Sequence, residues 1–129
     1  MPVAMPPERL ARRAWRFGLT GLLATGTHAL VAVAAIEIAR LPVTWANAIA
    51  FAVATSLSYL LNTLWSFSAP LRGRTLRRYL VVSCAGLLLA AGIAGLAQAR
   101  GFGYLAGIAF VAATLPVFSF ALHHAWTYR

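Results

Sequence analysis

Four apolar blocks, each long enough to cross a bilayer as one helix, constrain this chain more than any other feature. A hydrocarbon core roughly 30 Å thick is spanned by about 20 helical residues. The blocks cover 17–36, 45–67, 79–97 and 104–126, which leaves no room among 129 residues for a separate soluble domain. The composition agrees. Apolar residues make up 61% and charged residues 10%, whereas a soluble domain is about one quarter charged. The expected fold is an all-α membrane protein of four transmembrane helices. Residues 1–15 form a basic tail and 16–129 the transmembrane domain.

The formal charge of +9 would suit a nucleic-acid partner if it formed one footprint. Its placement points elsewhere. All eleven basic residues are arginine. Nine lie in three stretches: Arg9, Arg12, Arg13 and Arg16, then Arg72, Arg74, Arg77 and Arg78, then Arg129. With four crossings these stretches share one side of the membrane, and the positive-inside bias makes that side cytoplasmic, with both ends of the chain on it. Anionic lipid headgroups are the expected partner of this charge, and nucleic acid is not. The first block is too long for a cleaved signal and is expected to stay as an anchor. Cys84 is the single cysteine and can form no intrachain disulfide. Aromatic residues at the block ends (Trp15, Trp45, Trp65, Tyr79, Tyr104, Trp126 and Tyr128) fit a membrane–water belt.

The two halves of the chain resemble each other. Arg16-Phe17 opens the first as Arg78-Tyr79 opens the second. Ser58-Tyr59 and Trp65-Ser66-Phe67 recur 61 positions later as Ser119-Phe120 and Trp126-Thr127-Tyr128. Each half holds two spans, so the expected arrangement is a pair of parallel two-helix repeats.

Polar groups in hydrocarbon need partners, so their positions carry information. Asn47, Phe51, Thr55, Ser58, Asn62 and Trp65 recur at helical spacing on one face of the second block. This stripe is expected to face protein or a wet groove, either as interhelical hydrogen bonds or, through Asn62 and Ser58, as contacts to a polar headgroup. His28 lies about halfway along the first block, where an ionisable side chain is a functional candidate; a neutral, hydrogen-bonded histidine is the structural alternative. Ala90 takes its place in the second half. His123 stands at the repeat position of Asn62. His123 and His124 are adjacent and diverge by about 100° on a helix, so they cannot share a metal, and no metal site is expected. Pro70 and Gly73 are expected to break the central loop, and Pro116 to kink the fourth block.

Soluble-enzyme chemistry is missing from the sequence. There is no aspartate, and Glu8 and Glu37 are the only acidic residues. No paired carboxylates, phosphate-binding loop or nucleophile elbow is present, so catalysis by this chain alone is not expected and no cofactor is implied. A mid-membrane carboxylate, which a proton-coupled antiporter or a small multidrug exporter would need, is likewise missing.

The opening Arg16-Phe17-Gly18, the stretch Asn47-Ala48-Ile49-Ala50-Phe51 and the run Ser58-Tyr59-Leu60-Leu61-Asn62-Thr63-Leu64-Trp65-Ser66-Phe67 resemble the GtrA-like family. The basic loop to Arg78-Tyr79 and the ending Trp126-Thr127-Tyr128-Arg129 resemble it too. That resemblance implies a small bacterial inner-membrane protein of cell-surface polysaccharide synthesis, which translocates a polyprenyl-phosphate-linked sugar or assists the membrane glycosyltransferase that makes it. It implies roles for Asn47, Asn62, Trp65, Arg16 and Arg78. His123 departs from the asparagine often found at its position. The candidate substrate-binding residues are Asn62, His28, Ser58, Asn47, His123, Arg16 and Arg78. Four helices are barely enough to enclose a sugar, so a homo-oligomer or a partner enzyme is expected.

The topology has a direct test. A cytoplasm-active reporter should work when fused after Arg129 or inserted near Gly73, and should be silent when inserted beside Pro42.

Overall fold

The computed structural model describes residues 3–129. Pro2, counted in the N-terminal tail, and the side chain of Tyr104, counted in the aromatic belt, lie outside the described residues. All regular structure among them is helical: α1 Pro7–Glu37, α2 Val43–Leu61, α3 Gly73–Ala99 and α4 Tyr104–Leu122. α2 runs on into a π-helical turn, Asn62–Ser66, and α4 into another, His123–Thr127. Each of the four helices, with its turn where it has one, is long and apolar enough to cross a membrane.

The boundaries follow from local chemistry. Pro7 opens α1 with its φ already helical and no N–H to satisfy. Glu8 in the first turn suits the positive end of the helix dipole. The basic stretch and the first span are therefore one helix, roughly 46 Å long by its rise per residue and longer than the hydrocarbon core. α1 ends where Arg40 takes a left-handed φ of 57° and Leu41 N–H reaches back to Ala35 O at 3.0 Å, which satisfies an end carbonyl. Ser68, at φ 49°, performs the same reversal after the first π turn, with Ala69 N–H on Thr63 O at 2.7 Å. At the α3–α4 connection Gly101, at φ 80°, makes the turn without the steric cost of a Cβ.

α3 begins earlier than the sequence suggests. Gly73 is its first residue and does not break it; Leu76 N–H bonds Arg72 O at 3.0 Å. A glycine at the first helical position escapes the interior penalty of about 1 kcal/mol. Pro70 does remain in the connection. α4 passes through Pro116, where the missing N–H leaves the carbonyl one turn back without its usual donor.

The chain forms two compact units, Met1–Leu71 and Arg72–Arg129. In the first, α2 is buried along Ala46, Ala50 and Ala54, a stripe stepping by four that permits close approach to α1. Thr20 and Ala32 of α1 are buried as well. The polar stripe from Asn47 therefore lies beside this seam and not on it: Asn47 and Phe51 are exposed, and only Asn62 at the far end is buried. In the second unit a Cβ on Gly107 would lie 3.7 Å from Ala94 Cα, so α3 and α4 come nearly backbone to backbone there, while one on Gly86 would lie 3.2 Å from the Leu115 side chain that packs over it.

The exterior is apolar. Leu22, Leu30, Leu88 and Val117 are each at least 70% exposed, which is untenable in water and natural in hydrocarbon. The chain is a multi-pass membrane protein.

Ala50→Leu should destabilise the fold by roughly 1–3 kcal/mol through overpacking of the α1–α2 seam. Leu30→Ala, on the lipid-facing side, should stay within about 0.5 kcal/mol. Thermal unfolding in detergent separates the two.

Candidate functional site at the arginine-capped helix ends

A helix leaves its last four carbonyls without intrahelical donors and carries a partial negative charge there. In water, solvent resolves this; at the edge of a bilayer the protein must. In the first unit Arg16, on α1, donates from Nη1 to the carbonyl of Trp65, inside the π turn, at 3.0 Å. In the second unit Arg78, on α3, donates from Nη1 to the carbonyl of Trp126 at 2.7 Å and to Arg129 O at 3.3 Å. Each guanidinium also lies 5.1 Å from the centroid of the tryptophan ring whose carbonyl it holds, within cation–π range. The same contact thus closes the end of both helix pairs.

The π turns shape these ends. Phe67 N–H bonds Asn62 O at 2.8 Å and Tyr128 N–H bonds His123 O at 3.1 Å, five residues back in each case. One residue more than an α-turn rotates the following chain by about 100°. Asn62, where the turn begins, keeps its place on the α2 stripe beside Ser58 and is buried, while Trp65, inside the turn, is half-buried. Phe67 is buried and meets Phe17 edge to face at 6.3 Å. Tyr79 is buried too, stacked on the His123 ring at 4.5 Å, and so does not belong to the interfacial belt. The repeated tryptophan, hydroxyl and aromatic triplet was the sequence signal for these turns; periodicity had no means of showing that they are π.

A polar cluster lies beneath the first turn. Thr20, Asn62, Thr63 and Ser66 are all buried. Thr20 Oγ1 and Ser66 Oγ lie 3.4 Å apart, and Asn62 Nδ2 donates to Ser58 Oγ at 3.2 Å. The second unit fills the matching space differently. Val82 stands where Thr20 would, and His123 Nδ1 bonds Thr127 Oγ1 at 2.9 Å. His124 stacks on Phe120.

The remaining candidates form a separate pair. His28 Nε2 lies 3.2 Å from Asn47 Oδ1, while Asn47 Nδ2 donates to Val43 O at 2.9 Å. The second bond makes Oδ1 the acceptor, so His28 carries its proton on Nε2. Asn47 is one turn from the start of α2, and His28 lies nine residues before the end of α1, close to the middle of its span. Along α2 this pair is roughly 22 Å from Asn62. The structure therefore divides the first unit's candidates into Arg16, Ser58 and Asn62 at one end and His28 with Asn47 toward the other. Arg78 and His123 belong to the second unit's helix end.

The second unit also carries a groove of about 1050 Å³ along α3 and α4, lined by Ala91, Ala94, Gly95 and Val111, with Gln98 as a polar side chain.

Four spans, apolar outer faces and basic, tryptophan-rimmed helix ends define an integral membrane protein of the small four-helix class. Residues 16–128 match the family model described as GtrA/DPMS, transmembrane domain, and the chain belongs to that family. Membership makes it a membrane protein of polyprenyl-phosphate sugar handling. No curated protein and no solved structure matches it.

Thr20→Val should cost about 1 kcal/mol by leaving the buried Ser66 hydroxyl without its partner. Adding Ser66→Ala should recover part of that loss, because both polar groups are then gone. A double-mutant cycle from thermal unfolding gives the coupling.

Proposed function

We propose that this protein translocates a polyprenyl-phosphate-linked sugar across the bacterial inner membrane, as a non-catalytic carrier in cell-surface polysaccharide synthesis or glycosylation. The observation that carries the reading is the pairing, in each unit, of an arginine with a tryptophan-bearing π turn at the end rich in basic residues. A polyprenyl phosphate has an anionic head on a long apolar tail. Arginine can donate two hydrogen bonds to phosphate at once, and tryptophan favours the interface where such a head resides.

In this reading the units are two parallel repeats with their basic ends, and both chain termini, in the cytoplasm. Arg16 recruits the head, and Arg78 holds the matching helix end of the second unit. Ser58 and Asn62 meet the sugar near the cytoplasmic end, and His28 with Asn47 offers hydrogen bonds nearer the outer connection. His123 closes the second turn. The tail stays in lipid, and a second copy of the chain completes the enclosure.

The small-residue groove on α3 and α4 favours a second reading, in which the chain anchors a membrane glycosyltransferase by receiving one of its transmembrane helices. Small side chains let helix backbones approach closely in lipid. Loss of the protein would then reduce synthesis of the lipid-linked sugar itself.

Leaflet exposure in liposomes tests the first reading. The protein is reconstituted with a short-chain polyprenyl-phosphate sugar, and the fraction reached by an impermeant oxidant is followed. Native protein should expose the inner pool, and Asn62→Leu or His28→Leu should slow exposure by about tenfold, the equivalent of one lost charge-assisted or buried hydrogen bond. Exposure no faster than in protein-free vesicles would remove the transport reading and leave the partner reading.

A further inference from the structure

The two arginine-capped ends are not equivalent. In the second unit the guanidinium donors face main-chain oxygens: Arg78 Nη1 on Trp126 O and Arg129 O, and Arg74 Nη2 on Arg129 O at 3.1 Å. Arg77 precedes Arg78 where the first unit has Trp15 before Arg16. In the first unit Arg16 Nη1 holds Trp65 O, but Arg16 Nε is buried and makes no hydrogen bond. Its guanidinium lies beside both indoles, 5.7 Å from the Trp15 centroid and 5.1 Å from that of Trp65. The indoles meet edge to face at 5.6 Å.

Charge is concentrated at the same place. Arg9, Arg12, Arg13 and Arg16 fall within roughly 100° of the α1 circumference, and Arg13 lies over Phe67 at 5.4 Å. Glu8 is the only acidic residue in this stretch. A helix-end carbonyl offers only a partial negative charge, so four arginines, one of them with a buried, unfilled donor, suit an anion. Phosphate oxygens match the edge of a guanidinium, and the indole faces would pack the first apolar carbons next to a phosphate ester. Trp15 is 55% exposed and is the side from which a ligand would enter.

We propose that the cage of Arg16, Trp15 and Trp65, with Arg13 beside it, is the seat for the phosphate ester head of the lipid-linked substrate, and that the matching end of the second unit is closed by its own backbone. The two halves then have different tasks: the first binds and the second braces. This rests on the lipid-phosphate reading above, yet it concerns binding and can be tested without transport.

Farnesyl phosphate binding to the purified full chain in nanodiscs of zwitterionic lipid, followed by calorimetry, is the experiment. Arg16→Lys keeps the charge but loses the planar edge, and should weaken binding by about tenfold or more. Arg78→Lys should weaken it by less than about threefold, and Arg100→Lys, on the α3–α4 connection, should leave it unchanged. Equal losses at Arg16 and Arg78 would overturn the assignment, as would no loss at Arg16. If Arg16→Lys fails to fold by circular dichroism, Trp15→Leu at the exposed side of the cage decides: a loss of about fivefold or more supports the seat, and a smaller one overturns it. Inorganic phosphate and phosphatidylglycerol serve as competitors. Weak competition by both supports an isoprenoid phosphate. Free phosphate binding as well as the ester, or phosphatidylglycerol competing equally, overturns it in favour of a general anion or bulk-lipid site. Saturable, Arg16-dependent binding without flipping would uphold the seat while removing transport. Flipping without such binding would do the reverse.

Discussion

The arginine that holds a helix-end carbonyl is the contact on which each unit of this protein depends. A helical hairpin in lipid joins its helices covalently at one end only. Small residues let the helices touch, but lipid tails are as apolar as the helices they surround and supply little force for association. The open end, where α2 or α4 leaves the membrane, also has carbonyls with no intrahelical donor. Arg16 to Trp65 and Arg78 to Trp126 address both problems with one bond. A lysine could supply charge there, but not a planar group that donates sideways while lying over an indole.

That arrangement explains why polar residues gather where they do. Arg16 must reach Trp65 O past the turn, and the wide π turn, with Phe67 buried against Phe17, sets the carbonyl in its path. Beneath it the buried hydroxyls of Thr20 and Ser66 face each other, and the buried amide of Asn62 donates to Ser58 Oγ. In the second unit valine replaces threonine, and the His123 ring, stacked on Tyr79, fills what the smaller asparagine side chain does not. One scaffold thus gives a polar interior in the first unit and a stacked aromatic one in the second.

Much of this was legible in the residues. Block length and hydrophobicity give four spans because the bilayer sets a length that no soluble helix must match. The Asn62-to-Phe67 run pointed to the family, and the match over 16–128 agrees. The polar stripe beginning at Asn47 meets α1 through the Asn47–His28 contact and is buried at Asn62, but it is not the line of closest helix approach. The seam runs along Ala46, Ala50 and Ala54, one position away, because backbone approach in lipid favours the smallest side chains. Tyr79 looked interfacial by position and is buried by stacking. Gly73 looked like a breaker and starts a helix.

The sequence by itself therefore determined the solvent, the number of crossings, the family and which residues could matter, since these depend on composition and on order along the chain. Only the tertiary structure decided which of those residues meet. It separated His28 and Asn47 from Asn62, joined each arginine to a tryptophan carbonyl some fifty residues away, and left Arg16 with a buried donor where Arg78 faces main-chain oxygens on two residues. The first of these is distance along a straight helix; the arginine contacts depend on the π turns, where a one-residue change in winding redirects every side chain beyond it, and no pattern of apolar and polar residues at α-helical spacing encodes that rotation.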